Sequence, residues 1–169
     1  MGDRIRVAFF HIGTDTFGGG SKMLLRLLRS LDNEFFKPVL LSQTNDPLCK
    51  RAREAGVDVE IIPFLGALDT YNRQLLSGLP RAVVPATFRI LQFNWESRAV
   101  LQNADVIWCK NLRAILTILP YVFFTRTPAI WNIGLGLKSQ GKLKYLNSIA
   151  LRTVDHVFIE SEEQARNIF

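Results

Sequence analysis

Apolar residues fall in short runs divided by polar, glycine or proline breaks, and the runs alternate between two kinds. Ile5 to Ile12 is a nearly continuous apolar stretch of strand length, whereas Ser21 to Leu31 carries Met23, Leu24, Leu25, Leu28 and Leu31 at helical spacing with basic residues between them. The pattern repeats. Lys37-Pro38 introduces a second strand at Val39 to Ser42, and Asn45-Asp46-Pro47 opens a helix with Asp46 as N-cap and Pro47 at its first position. That helix runs to Ala55 and stops at Gly56, and Val57 to Ile62 forms a third strand closed by Pro63.

Phe64 to Pro80 carries weaker signals, with Gly66, Gly78 and Pro80 interrupting any long element. A helix is expected from Pro80-Arg81 to Asn103, with Pro85 in its first turn or kinking it, and with Phe88, Leu91, Phe93, Trp95, Val100 and Leu101 as its apolar surface. Ala104 to Cys109 is a fourth strand, Leu112 to Phe124 a strongly apolar helix broken near Pro120, and Pro128 to Ile133 a fifth strand. A helix over Lys142 to Leu151, a sixth strand over Val154 to Ile159 and a helix capped by Ser161 complete the series. Strand and helix in strict alternation predict an α/β fold: a Rossmann-like, doubly wound parallel sheet in three α/β/α layers, forming a single domain over 1–169. Phe169 falls a couple of turns into the last helix, so the expectation is one domain of something larger.

The first break holds Gly13, Gly18, Gly19 and Gly20 between a strand and a helix. Glycines at such a turn leave backbone N–H groups uncovered at the positive end of the helix dipole, where an anion can approach; a tight turn alone is the plainer alternative. Two familiar phosphate signatures fail. The nucleotide P-loop needs a lysine where Gly19 stands, and the dinucleotide fingerprint needs a third glycine where Met23 stands.

Composition narrows the partners. With 48% hydrophobic and 21% charged residues the 169-residue chain is globular, and a net charge of +6 points to an anionic partner without choosing among nucleic acid, phosphorylated ligand and membrane surface. Cys49 and Cys109 match no metal or redox spacing and read as buried free thiols. No signal peptide and no transmembrane stretch is found, which makes cytoplasmic location the expectation. For Leu112 to Phe124, flanked by Arg113 and Arg126, packing against the sheet outranks contact with a membrane interface.

Six segments in order carry a family resemblance: Arg6-Val7-Ala8-Phe9-Phe10, Gly18-Gly19-Gly20-Ser21, Ala55-Gly56-Val57-Asp58-Val59, Ala104-Asp105-Val106-Ile107, Pro128-Ala129-Ile130-Trp131, and Val154-Asp155-His156-Val157-Phe158-Ile159-Glu160-Ser161. Together they resemble the N-terminal half of a GT-B glycosyltransferase, most closely family 4. The resemblance implies a retaining transfer from a nucleotide-diphosphate sugar to a glycan, lipid or small molecule, without a metal or other cofactor. It implies donor phosphate or sugar contacts at Gly18, Gly19, Gly20 and Lys22, and acceptor or cleft positions at Asn111, Gly134, Ser161 and Glu162. The family's histidine after the fifth strand is replaced by Gly134, and a second one after the fourth strand gives way to Lys110 and Asn111. His11, Lys110 and Asn132 are therefore the catalytic candidates, while His156, inside a strand, reads as structural.

The family's two donor-binding glutamates, seven residues apart in a C-terminal domain, do not occur here, so this chain alone should not transfer sugar. An anionic membrane face would suit the charge and a lipid acceptor. The alternative is a non-catalytic nucleotide- or phosphate-binding regulatory module. Nucleic acid is disfavoured, because the aromatic residues lie in apolar runs expected to be core.

Overall fold

A computed structural model describes residues 3–12, 17–63, 80–133 and 142–159. The elements are β1 (Ile5–His11), α1 (Gly19–Ser30), β2 (Phe36–Ser42), α2 (Pro47–Glu54), β3 (Asp58–Ile61), α3 (Pro80–Leu101), β4 (Val106–Cys109), α4 (Leu112–Thr125), β5 (Ala129–Ile133), α5 (Lys142–Thr153) and β6 (His156–Ile159). All strand pairings are parallel, in the order β3-β2-β1-β4-β5-β6, so the strand order reverses between β1 and β4. The expected Rossmann-like α/β fold is what forms.

Why these strands align as they do is visible at their entrances. Asp105 accepts the Arg6 N–H at 2.7 Å while its own N–H bonds the Arg6 carbonyl at 2.9 Å. Asp155 repeats this one strand pair away, taking the Ala129 N–H at 2.8 Å and giving its own to the Ala129 carbonyl at 2.9 Å. Each Asp thus clamps its strand to the neighbour and fixes the register of β4 on β1 and of β6 on β5. The Ala-Asp-Val and Val-Asp-His segments earn their place by alignment rather than by chemistry.

Two cores follow from the period-2 alternation of side chains. Val7, Phe9, Leu40 and Trp108 face α1 and α2, where Leu24, Leu25, Leu28, Leu48, Cys49 and Ala52 cover them. Ala8, Phe10, Leu41, Ile107, Cys109, Trp131 and Ile133 face the opposite layer, with Phe93 and Leu101 of α3, Ile115 and Ile118 of α4 and Ala150 of α5. The inner strands are thus buried on both faces, as a parallel sheet requires.

Several boundaries differ from expectation for local reasons. The first helix starts at Gly19 rather than Ser21, with Gly18 as its N-cap, so two of the three glycines belong to its first turn. β2 begins at Phe36 and includes Pro38, which lies ahead of the first pairing with β3, Val39↔Asp58, where a strand tolerates a proline. α3 begins at Pro80, so Pro85 falls in the second turn. Asp46 does cap α2, accepting the Cys49 N–H at 3.0 Å, and Gly56 ends it with φ +79°. The helix expected after Ser161 lies outside the described residues.

The largest correction concerns α4, which continues through Pro120 instead of breaking there. A mid-helix proline lacks an N–H and pushes the neighbouring turn apart. Here Asn94 of α3 fills the gap: its Nδ2 donates to the Thr117 carbonyl at 2.7 Å, and its Oδ1 accepts the Tyr121 N–H at 3.1 Å. Those two groups, four residues apart, would bond each other in a regular helix. The side-chain amide substitutes for that bond and ties α3 to α4. Asn94→Leu keeps the volume but orphans two backbone groups in a buried place, and should cost about 2–4 kcal/mol in urea unfolding. Asn94→Asp keeps only the acceptor and should also destabilise; unchanged midpoints for both variants would refute the splint.

Candidate functional site

Ligands of open parallel sheets bind beyond the carboxyl ends of the strands, where the strand order reverses. Here that point is the gap between β1 and β4, and the residues at its lip follow from register. Phe10 pairs with Cys109, and Cys109 with Trp131, so His11, Lys110 and Asn132 stand one residue further on three adjacent strands. All three share the face occupied by α1, because Phe9, Trp108 and Ile130, two residues earlier, pack into that core. The three residues singled out from the sequence form one row.

Helix α1 starts directly over this row. Its first internal bond runs from the Lys22 N–H to the Gly18 carbonyl at 3.1 Å, so the N–H groups of Gly19, Gly20 and Ser21 precede the helical ladder. Gly18 supplies no side-chain cap and the first turn contains no acidic residue. A Cβ added to Gly18 or Gly19 would meet nothing, but one added to Gly20 would lie 2.9 Å from Lys110 Cε and closer still to Nζ. The absence of a side chain at Gly20 is thus what lets the Lys110 ammonium lie against the helix start. One full charge and the partial positive charge of the dipole converge on the same spot, a setting for a multiply charged anion. Lys22, by contrast, is exposed on the outer side of α1.

His11 is buried at the end of β1, and its Nε2 lies 3.1 Å from Asp46 Oδ2. An ionised carboxylate only accepts, so Nε2 carries the hydrogen of this contact. Burial pushes the Asp46 carboxyl up, but the bond from His11, the Cys49 N–H and the attraction of the ring outweigh it and hold it below its ordinary value of 3.8. Asn132 is 1% exposed and its Oδ1 has no hydrogen-bond partner among the described residues. Asn111 is committed differently: its Oδ1 accepts the Ala114 N–H at 2.8 Å as the N-cap of α4. His156 is exposed on the edge strand β6, and Gly134, Ser161 and Glu162 lie outside the described residues. Both cysteines are buried free thiols pushed up by burial, which leaves them unreactive.

Asp46 is the member that the sequence identified only as a helix cap. It stands 35 residues from His11, and nothing local joins them. The one available signal was strand order: once β2 lies beside β1, the residues following both carboxyl ends become neighbours.

Comparison with known proteins returns the fold. No protein-family model and no curated protein matches the chain. Among solved structures, Anabaena HepE in complex with UDP-glucose superposes with a TM-score of 0.68 at 13% identity, over 98% of this chain and 40% of that one. A glycosyltransferase from Rickettsia africae gives 0.63 at 13% identity, over 98% and 39%. A UDP-N-acetylglucosamine 2-epimerase gives 0.63 at 8% identity, over 98% and 44%. The chain therefore spans about two-fifths of the length of these proteins.

Because the Asp46 carboxyl is held low, its ionised form contributes stability above pH 4 that is lost as pH falls through its folded value. Asn caps a helix about as well as Asp, so Asp46→Asn removes the charge and spares the cap. The stability difference between the two proteins should shrink below about pH 4. A difference that does not change with pH would show that the His11–Asp46 contact carries no charge contribution.

Proposed function

We propose that this chain is the acceptor-side domain of a retaining GT-B glycosyltransferase that uses a nucleotide-diphosphate sugar, the donor-binding half lying elsewhere in the same polypeptide. The single observation that carries the reading is the Lys110 ammonium seated against Gly20 at the uncapped start of α1. The neighbours support it, because HepE was captured with UDP-glucose and the Rickettsia protein is a glycosyltransferase.

Sugar transfer loads negative charge onto the departing diphosphate as the glycosidic bond breaks. Groups already aimed at that charge lower the barrier without reorganising. In this reading Lys110 and the N–H groups of Gly19 and Gly20 do so, and no metal or cofactor enters. Asn132 Oδ1 accepts from a sugar hydroxyl, and His11, its Nε2 held by Asp46, offers Nδ1 to a hydroxyl at the cleft lip. The acceptor is a glycan, a lipid or a small molecule.

Turnover of nucleotide-diphosphate sugars by the full-length protein is the test. Lys110→Met, folded by circular dichroism, should lower kcat/KM by about a hundredfold to a thousandfold, as loss of one aimed donor does elsewhere. Full activity in that variant would overturn the assignment. Titration calorimetry on the 169-residue chain alone should give at most weak binding of UDP- or GDP-sugars; a micromolar affinity would place the main donor site here instead of in a second domain.

A further inference from the structure

The two helical layers of the sheet have opposite outer surfaces. On α1 and α2 the outward positions are mostly charged, among them Lys22, Arg26, Arg29, Lys50, Arg51, Arg53 and Glu54, as expected for helices covering a sheet. None of the exposed large hydrophobic residues described lies on those two helices. Across the sheet the rule is inverted. Phe88, Leu91 and Trp95 of α3, Phe123 and Phe124 of α4, and Tyr145 and Ile149 of α5 all stand in the open, Phe124 at 81% exposure.

These positions form stripes. Phe88, Leu91 and Trp95 are spaced i, i+3, i+7, and Leu116, Leu119 and Phe123 repeat that spacing on α4, which packs between α3 and α5. The aromatic residues expected in the core are thus on the surface at Phe88, Trp95, Phe123 and Phe124; of the apolar set on α3, only Phe93 and Leu101 are fully buried. Arg89, Arg98, Arg126, Lys144 and Arg152 are exposed around them, and Glu96 is the only acidic residue in the three helices. Arg98 stacks its guanidinium 3.9 Å from the Trp95 ring centre, so a cation and an aromatic face are presented together.

We infer that the outer face of α3, α4 and α5 docks on an anionic lipid surface, with the aromatic and aliphatic side chains entering the headgroup boundary and the arginines and lysines engaging lipid phosphates. Charge decides among occupants. A second copy laid face to face would oppose two rims of like sign, whereas anionic headgroups complement one. Aliphatic side chains interleaved with the aromatics favour acyl chains over a stack of bases. Among the described residues no helix is long and apolar enough to cross a membrane, so the contact is made by lying on the surface. It stands apart from the transferase reading, since it needs neither donor nor acceptor.

Vesicle co-sedimentation of the full chain tests it. The protein should pellet with phosphatidylglycerol-containing vesicles at low salt and not with phosphatidylcholine alone. The double variant Phe123→Ser, Phe124→Ser should lower partitioning about tenfold or more, since each exposed ring would otherwise bury its area. Arg98→Gln and Arg126→Gln should each lower it about fivefold. All four side chains are exposed, so thermal unfolding should not move, and Trp95 emission should shift to the blue on binding. Absence of pelleting, or pelleting indifferent to these substitutions, overturns the inference. So does light scattering in which the Phe variant turns a dimer into a monomer without vesicle binding, or a single-stranded RNA gel shift with the same dependence.

Discussion

Everything at the candidate site depends on strand register, because a slip of one residue would turn His11, Lys110 or Asn132 to the opposite face of the sheet. The clamps that prevent it lie at the far end. Asp105 holds the start of β4 to Arg6 of β1, and Asp155 holds β6 to Ala129 of β5, each through a pair of bonds. Along only four paired residues between β1 and β4, that alignment is carried rigidly to the carboxyl edge. The polar row is thus positioned by carboxylates at the opposite edge of the sheet.

A second constraint is the missing side chain at Gly20. Lysine and a helix N-terminus are both positive, so bringing them together concentrates positive potential at one place. The fold accepts that arrangement at one place, beside the point where strand order reverses. The Lys110 Nζ is itself shielded from solvent at that place.

The sequence disclosed most of this architecture because its signals are local: alternating runs, Asp46-Pro47 at a helix start, Gly56 at a helix end, glycines between strand and helix. His11, Lys110 and Asn132 were legible for the same reason, each standing at the end of an apolar run. What escaped is non-local. Asn94 serves Thr117 and Tyr121 across 23 and 27 residues, and Pro120 read alone predicts a break. The Asp46 partnership with His11 needs strand order, and α3 carries apolar residues on both its outward side (Phe88, Trp95) and its buried side (Phe93, Leu101), so composition alone cannot assign the faces. Lys22 and Lys110 were separable only once α1 had a direction, which placed one lysine outside and the other over the glycines.

The most direct measurement is a titration of the isotope-labelled chain with UDP-glucose into the millimolar range, following backbone amide resonances. If a diphosphate sits at the start of α1, the Gly19 and Gly20 amides move first and furthest, and Lys110→Met suppresses the change while leaving the rest of the spectrum intact. Shifts confined to other parts of the chain, or glycine shifts unaffected by loss of the lysine, would contradict the account.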